Sequence, residues 1–516
     1  MSLKQTITSI APGKSAILVA VLFLHLLLFF ALQTPLTFDD AFNANVALSV
    51  AQGNGYGTHV GGEFVPFNPY ISTGALFIAP LSVVLHVLGT SISTVAVYSL
   101  LVAFFFFSMA LVYSWRLHRY APLMIVILSA AFLADGKTDL VGGTKTPNLP
   151  APVYGLWFQF LGNMSGIWSA MAAIILCAGV DRARFRDLVV IFACTTFACN
   201  SKVVHALPCA VMLAVLCISL PRVMWPAFLV GLLGICAGVR ADAWFAKAAL
   251  DAESFDRYRA SAREFFIMNQ GFYVGFLRSP SWQGVTSIVE NIVNNWWSAV
   301  RYVGRPLVLA AFVTMCVCLA SYRAATRPMR RGLLRLVFAL LCASVGVILW
   351  WSGLPGAPTR FLTSVAPLLT VATASALCVA LCSAPRVRRG VSIVVVAACV
   401  AVASYRIVHR APKALAFGRA VRTEQIKVAQ IAKEARELDS TKLVCGMGWW
   451  YPHEISFLSG SPSTIPCGAN FGALSVLPKH IVPREVIPII RPSSCRKDFS
   501  GKFYNLAVCG PLEATG

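Results

Sequence analysis

Charge is what this sequence has least of. Asp, Glu, Lys and Arg make up 12% of its 516 residues, about half the share usual in soluble chains. Acid is the scarcer sign, with 21 Asp and Glu against 43 Lys and Arg. With 57% hydrophobic residues, this excludes a large soluble enzyme and makes an integral membrane protein the expectation. Strand-like alternation of apolar and polar residues is also missing, which excludes a membrane β-barrel. The apolar runs are unbroken and roughly 16–22 residues long, as spanning helices require. No basic run is interleaved with aromatics, so the net charge of +22 does not indicate nucleic acid. It fits loops held on the cytoplasmic side against anionic lipid. No C-x-x-C pair with nearby His supports zinc, and no internal repeat stands out. The N-terminal segment lacks a small-x-small cleavage site. Lys4 and Lys14 precede an apolar run from Ala16 to Leu32, read as a retained first helix with its N-terminus in the cytoplasm.

Ten further spans are expected near 93–115, 121–134, 157–180, 188–201, 203–219, 223–239, 303–321, 333–351, 361–383 and 391–405. With the first, they make about eleven transmembrane helices. The Arg-rich loops 116–120, 181–187, 321–335 and 384–390 then all fall inside, as the positive-inside rule demands. The agreement requires 71–89, apolar but marginal in length, to lie as an interfacial or re-entrant helix on the outer side. Segments 34–92, 135–156, 240–302 and everything after about 406 are then outside.

The last part of the chain changes character. A mixed, polar text begins near His409, with an amphipathic helix expected over 413–439 and a strand and turn in TKLVCGMG. The expected fold is an all-α polytopic membrane protein, a transmembrane unit over 1–406 with first outer loop 34–92. A small extracytoplasmic α/β domain follows over 407–516. Twelve of the sixteen cysteines lie in apolar spans, where Cys acts as a small hydrophobe. The other four, Cys445, Cys467, Cys495 and Cys509, lie in the tail, and their even number suggests two disulfides in an oxidising compartment. Three pairings are possible; the sequential one is favoured.

Against this apolar background, TFDDAFNANVALSVAQGNGYG (37–57) places two adjacent carboxylates, Asp39 and Asp40, at the mouth of the first helix. Charge beside hydrocarbon usually marks function. The bland alternative is that one of them, Asp40, N-caps the helix that follows. That helix is expected to stop at Gly53-Asn54-Gly55. VGGEFVPFNPY, with Glu63 and Asn68, comes next, and then the interfacial helix.

The pattern F-D-D-A-F, then N-x-A-x-G-x-G-x-G, then an apolar interfacial helix resembles the first outer loop of the GT-C glycosyltransferases. These membrane enzymes use polyprenyl-phosphate sugars; relatives include arabinofuranosyltransferases, lipid A aminoarabinose transferases and protein O-mannosyltransferases. The motif covers residues 37–90, and the layout covers nearly the whole chain. Two weaker places are similar to family segments: LGNMSGIWSAMAAIIL, where Asn163 stands in place of an acid, and RFLTSVAPLLT, which begins at Arg360. CNSKVVH, with Lys202, resembles a recurrent Lys-containing turn.

The resemblance implies transfer of a sugar to a glycan, lipid or protein hydroxyl on the extracytoplasmic face of a bacterial inner membrane. Asp39 would be the general base and Asp40 its partner, orienting the acceptor or a metal. Lys202 and Arg360 would meet the donor phosphate, though snorkelling to the interface is their ordinary alternative. Glu63, Asn163, Trp296 and Trp297 are candidate acceptor or sugar contacts; interfacial anchoring is the bland role of the tryptophans. Asp135 and Asp139 occupy a loop where the family often has a second acidic site, and a solvated loop is their other reading. Oxygen ligands on Asp39 and Asp40 would suit magnesium or manganese; His453 and Glu454 lack a third ligand. The competing classes are a transporter or flippase of lipid-linked sugars and a glycan polymerase or ligase.

Overall fold

The structure, a computed structural model, describes residues 12–60, 63–67, 73–133, 154, 157–158, 161–179, 184–219, 225–264, 281–303, 305–322, 328–353, 359–383, 386–438, 443–445, 453–460, 463–464, 473–478, 495–500 and 504–509. Long apolar runs give long helices: α1 (Pro12–Ala31), α4 (Ile92–Leu117), α5 (Ala121–Phe132), α6 (Asn163–Gly179), α7 (Phe185–Ser201), α8 (Ala206–Ser219) and α9 (Trp225–Ala249). Later come α11 (Trp282–Val303), α12 (Arg305–Tyr322), α13 (Pro328–Gly353), α14 (Val365–Ser383) and α15 (Arg386–Leu438). Each of the eleven expected spans thus coincides with a helix. Among the described residues, five helices are long and apolar enough to cross a membrane; α5, α6 and α8 are apolar but shorter.

Two helices form the centre. Residues Asn163 to Ala178 of α6 are all buried, and so is nearly all of the stretch Leu362–Ala380, which takes in most of α14. Both are rich in Ala, Ser, Gly and Thr, which let neighbouring helices approach closely where apolar burial alone gives no drive. α6 packs on α4 and α7, and α14 on α5, α12 and α13. The outer helices turn Ile17, Leu18, Leu22, Phe105, Leu233 and Phe338 outward, as expected of side chains that meet lipid.

Between α1 and α4 the chain forms α2 (Phe38–Ala51), a hairpin of β1 (Gly57–Val60) and β2 (Glu63–Pro66), and α3 (Ala75–Leu88). α2 ends where the glycines begin: Gln52 is its C-cap, and Gly53 follows in the left-handed region at φ +75°. A short helix, α10 (252–264), follows α9.

The tail departs from expectation in two ways. The last expected span and the amphipathic tail helix are one continuous helix of 53 residues, α15. The shift in composition near residue 407 lies within it, because Ala, Lys, Arg and Glu sustain a helix as well as Val does. The tail strands also do not stand alone. β3 (Leu443–Cys445), β4 (Ser463–Thr464), β5 (Ala473–Pro478), β6 (Cys495–Ser500) and β7 (Tyr504–Cys509) join the hairpin in a seven-stranded sheet of order β2-β1-β4-β3-β5-β7-β6. The joint is the parallel pairing of β1 with β4, Val60 opposite Ser463. α16 (His453–Ser459) packs on both α2 and α15.

The cysteines whose side chains are described, all between Cys177 and Cys378, are free thiols; the side chains of the four tail cysteines lie outside the described part. Cys495 faces Cys509 across the antiparallel β6–β7 pair, whereas Cys467 lies outside the described residues. Asp135, Asp139 and Asn68 also lie outside them.

Candidate active site

The acid pair opens α2, and its two members have different surroundings. Thr37 is the N-cap, its hydroxyl accepting the Asp40 main-chain N–H at 3.3 Å. The cap is therefore Thr37 and not Asp40, since the short hydroxyl at Ncap reaches back to the N3 amide. Asp40 is 2% exposed. Its Oδ2 accepts the Thr37 hydroxyl at 2.5 Å, and its Oδ1 accepts the Leu161 N–H at 3.0 Å. Asp39, one residue earlier, is half-buried, and its main-chain carbonyl accepts from Asn43 Nδ2 at 2.6 Å.

Burial pushes the Asp40 carboxyl up from 3.8 to about 7. The hydrogen bonds from Thr37 and Leu161 oppose this, the Asp39 charge adds to it, and the Lys202 charge opposes it. Desolvation wins because the whole side chain is withdrawn from water. The same balance shows that Lys202 stands within electrostatic reach of the pair. Lys202 is the C-cap of α7, in extended backbone, where the chain turns before His205. Of the expected site residues, then, Asp39 and Asp40 open α2 together, and the Lys202 charge reaches Asp40.

Asn163 joins them through the chain. Leu161, which donates to Asp40, lies two residues before Asn163, the first residue of α6. Asn163 Nδ2 donates to Thr363 Oγ1 at 2.5 Å. Thr363 lies in the 3-10 turn Thr359–Ser364, which also carries Arg360, so Asn163 ties the Arg360 turn to the start of α6. The Arg360 side chain is outside the described part of the turn. The N–H of His205 Nε2 donates to the Asn163 carbonyl at 3.1 Å. Between Leu161 and Asn163, Gly162 takes φ +82°; a Cβ there would collide with the Thr73 side chain.

A second set of polar residues, missed in the sequence, fixes the loop. Asn43 Oδ1 accepts the Thr73 N–H at 3.1 Å, and the Thr73 hydroxyl donates to the Leu161 carbonyl. The free N-terminus of α3 is closed by side chains from two other helices. Asp242 Oδ1 on α9 accepts the Ala75 N–H at 2.5 Å, and Asn200 Oδ1 on α7 accepts the Leu76 N–H at 2.7 Å. A carboxylate suits that helix end, where unpaired N–H groups concentrate positive potential. Tyr56 also donates to Asp242, at 3.3 Å. Two signals were readable: the T-x-x-D spacing of Thr37 and Asp40, and a lone acid in the apolar stretch GVRADAWFA.

Other expected contacts lie elsewhere. Trp296 and Trp297 are on α11, 49% and 39% exposed. Their rings meet each other at 5.4 Å, and Arg301 sits over Trp297. Glu63 begins β2 opposite Val60, with its side chain outside the described part. His453 is buried against α2, its carbonyl accepting from Asn45 at 3.0 Å and its ring 4.9 Å from Phe42. Burial lowers its imidazole to about 3, a neutral packing residue. Among the described residues no group of three His, Cys, Asp or Glu could hold a metal ion. Both Asp40 oxygens accept hydrogen bonds.

No protein-family model matches the sequence, and no curated protein matches it. Crystal structures of another protein share its fold. ArnT from Cupriavidus metallidurans bound to undecaprenyl phosphate superposes with TM-score 0.55 at 12% identity, over 96% of this chain and 99% of that one. The apo state of ArnT from the same organism gives the same score and identity, over 96% and 98%. The likeness is one of fold, shared with both ArnT structures over nearly the whole chain.

Proposed function

We propose that the protein is a GT-C glycosyltransferase of a bacterial inner membrane, moving a sugar from a polyprenyl-phosphate donor to a hydroxyl on the extracytoplasmic face. The observation that carries this reading is the acid pair opening α2, with Asp40 buried and bonded to Leu161 at the entrance of α6, on a fold shared with a protein crystallised with undecaprenyl phosphate.

Asp39 is the general base. It is the more exposed member of the pair, partly buried where Asp40 is fully buried. The acceptor O–H gives its proton to the Asp39 carboxylate as its oxygen attacks the anomeric carbon. The bond from that carbon to the phosphate oxygen breaks, configuration inverts, and the polyprenyl phosphate leaves with the bonding pair. The anomeric carbon has oxocarbenium character at the transition state. Charge grows on the leaving phosphate, where Lys202 and Arg360 stabilise it. Asp40 holds the start of α2 against Leu161 and so sets where Asp39 stands.

The test is reconstitution with labelled undecaprenyl-phosphate sugars. Wild type transfers label to an acceptor, and Asp39→Asn slows transfer by about a hundredfold or more while still binding undecaprenyl phosphate. Transfer at the wild-type rate by Asp39→Asn defeats the base assignment. Label that crosses the bilayer without transfer makes the protein a transporter instead.

A further inference from the structure

We infer that Gln425 and Arg422, on the C-terminal helix α15, are positioning residues that set the acid pair by gripping the linker between α1 and α2. The inference rests on the reading of Asp39 as base, but its geometry stands apart from that reading. Linker residues 32–36 join the end of α1 to Thr37, the cap of α2. Regular secondary structure satisfies none of this stretch beyond its first turn, so its polar groups need partners from elsewhere.

α15 supplies them from one face. The Leu36 N–H donates to Gln425 Oε1 at 3.1 Å, and Gln425 Nε2 donates to the Leu36 carbonyl at 2.9 Å. The two bonds form a closed pair between a side-chain amide and the main chain, one residue before the cap. Gln425 is 1% exposed, so water does not substitute for either bond. Only an amide side chain offers both a donor and an acceptor in one plane at this reach. Three positions earlier, on the same face, Arg422 donates to the Leu32 carbonyl at 2.7 Å and to the Thr34 carbonyl at 3.4 Å. Its other terminal nitrogen donates to Ser93 Oγ at 2.7 Å, tying the linker to the start of α4. Arg419, three positions earlier again, donates to the Gln33 side chain at 2.7 Å. The helix thus holds the main chain at Leu32, Thr34 and Leu36 and the side chain of Gln33, and the Leu36 grip falls one residue ahead of the cap.

A loosened linker leaves Asp39 present but misplaced. Misplacement of about an ångström at a reacting group costs on the order of a hundredfold in rate. The expected signature is therefore a loss in kcat with donor binding preserved. The substitutions are Gln425→Met, which keeps length and removes both bonds, and the milder Arg422→Lys, which keeps charge but loses the fork. Gln430→Met, on the exposed side of α15, is the control.

Hydrogen–deuterium exchange is measured on the full-length protein in nanodiscs, alongside transfer kinetics and binding of undecaprenyl phosphate. In Gln425→Met, amides of 34–42 exchange about tenfold faster or more, with peptides from α6 and α8 unchanged. kcat falls about tenfold or more, KM for the donor stays within about twofold, and undecaprenyl phosphate binds as in wild type. Arg422→Lys shifts both in the same direction by less, and Gln430→Met shifts neither. Unchanged exchange over 34–42 overturns the inference, as does a rise in KM equal to the fall in kcat. If wild type transfers no sugar, the functional reading fails alone, and the exchange result still decides whether these residues position the pair.

Discussion

Asp40 accepts a hydrogen bond from the main chain of Leu161, 3.0 Å away and 121 residues further along the chain. The bond joins the start of α2 to the entrance of α6. It places a carboxylate where water cannot reach it and where a main-chain donor, a hydroxyl and a nearby ammonium only partly compensate.

That placement gives a pH signature. The Asp40 carboxyl is raised in the folded protein, from 3.8 to about 7, so folding favours its neutral form. The associated stability is fully present below about 3.8 and is lost as pH rises through about 7. The displacement corresponds to about 4 kcal/mol. The apparent Tm of wild type should fall as pH rises from 4 to 8. Asp40→Asn, which keeps an acceptor for Leu161 and a polar group toward Thr37, should flatten the profile and exceed wild type at pH 8. Superimposable melting profiles for the two proteins would count against a buried, largely neutral Asp40.

Lys202 is assigned to the donor phosphate. Its charge also lowers the Asp40 carboxyl. Lys202→Met should weaken binding of undecaprenyl phosphate about tenfold, as expected for loss of a charge-assisted bond. It should also carry the fall in Tm to higher pH. Titration of purified protein with undecaprenyl phosphate checks the first effect; undiminished affinity removes Lys202 from the phosphate site.

Gly162 and Gly53 both have positive φ, +82° and +75°, but only Gly162 is crowded. Gly53→Ala should cost about 1 kcal/mol, the backbone penalty alone. Gly162→Ala must also displace Thr73, which is bonded to Leu161, and should cost more, about 2–3 kcal/mol. Thermal melts of the two variants side by side distinguish these; equal losses would mean the Thr73 contact is slack.

How much of this could be read in the sequence varied with the range of the interaction. Helices announce themselves locally through apolar runs, so each expected span from 16–32 to 391–405 has its helix. The acid pair was legible because charge is so rare here. What lay next to it was not. Leu161, Asn43, Thr73 and Gln425 are ordinary residues whose importance comes from main-chain groups they meet across the fold. The sheet is legible only in part: TKLVCGMG reads as a strand and holds β3, but other strands are as short as two residues at Ser463–Thr464, and VGGEFVPFNPY carries the Gly and Pro usual in loops. The boundary expected near 406 follows a genuine change in composition, yet the α15 backbone runs through it. Hydropathy registers which solvent a residue meets, and not where a backbone stops.

The pairing of β1 with β4 bears on the order in which the protein is made. Val60 meets Ser463, and Leu36 meets Gln425, so the acid-bearing segment emerges early and waits for partners synthesised near the end. Contacts this distant form slowly because a long loop must close first. Sugar transfer should therefore switch on only after almost the whole chain has been translated, and a ribosome stalled before residue 425 would hold an inserted but inactive protein.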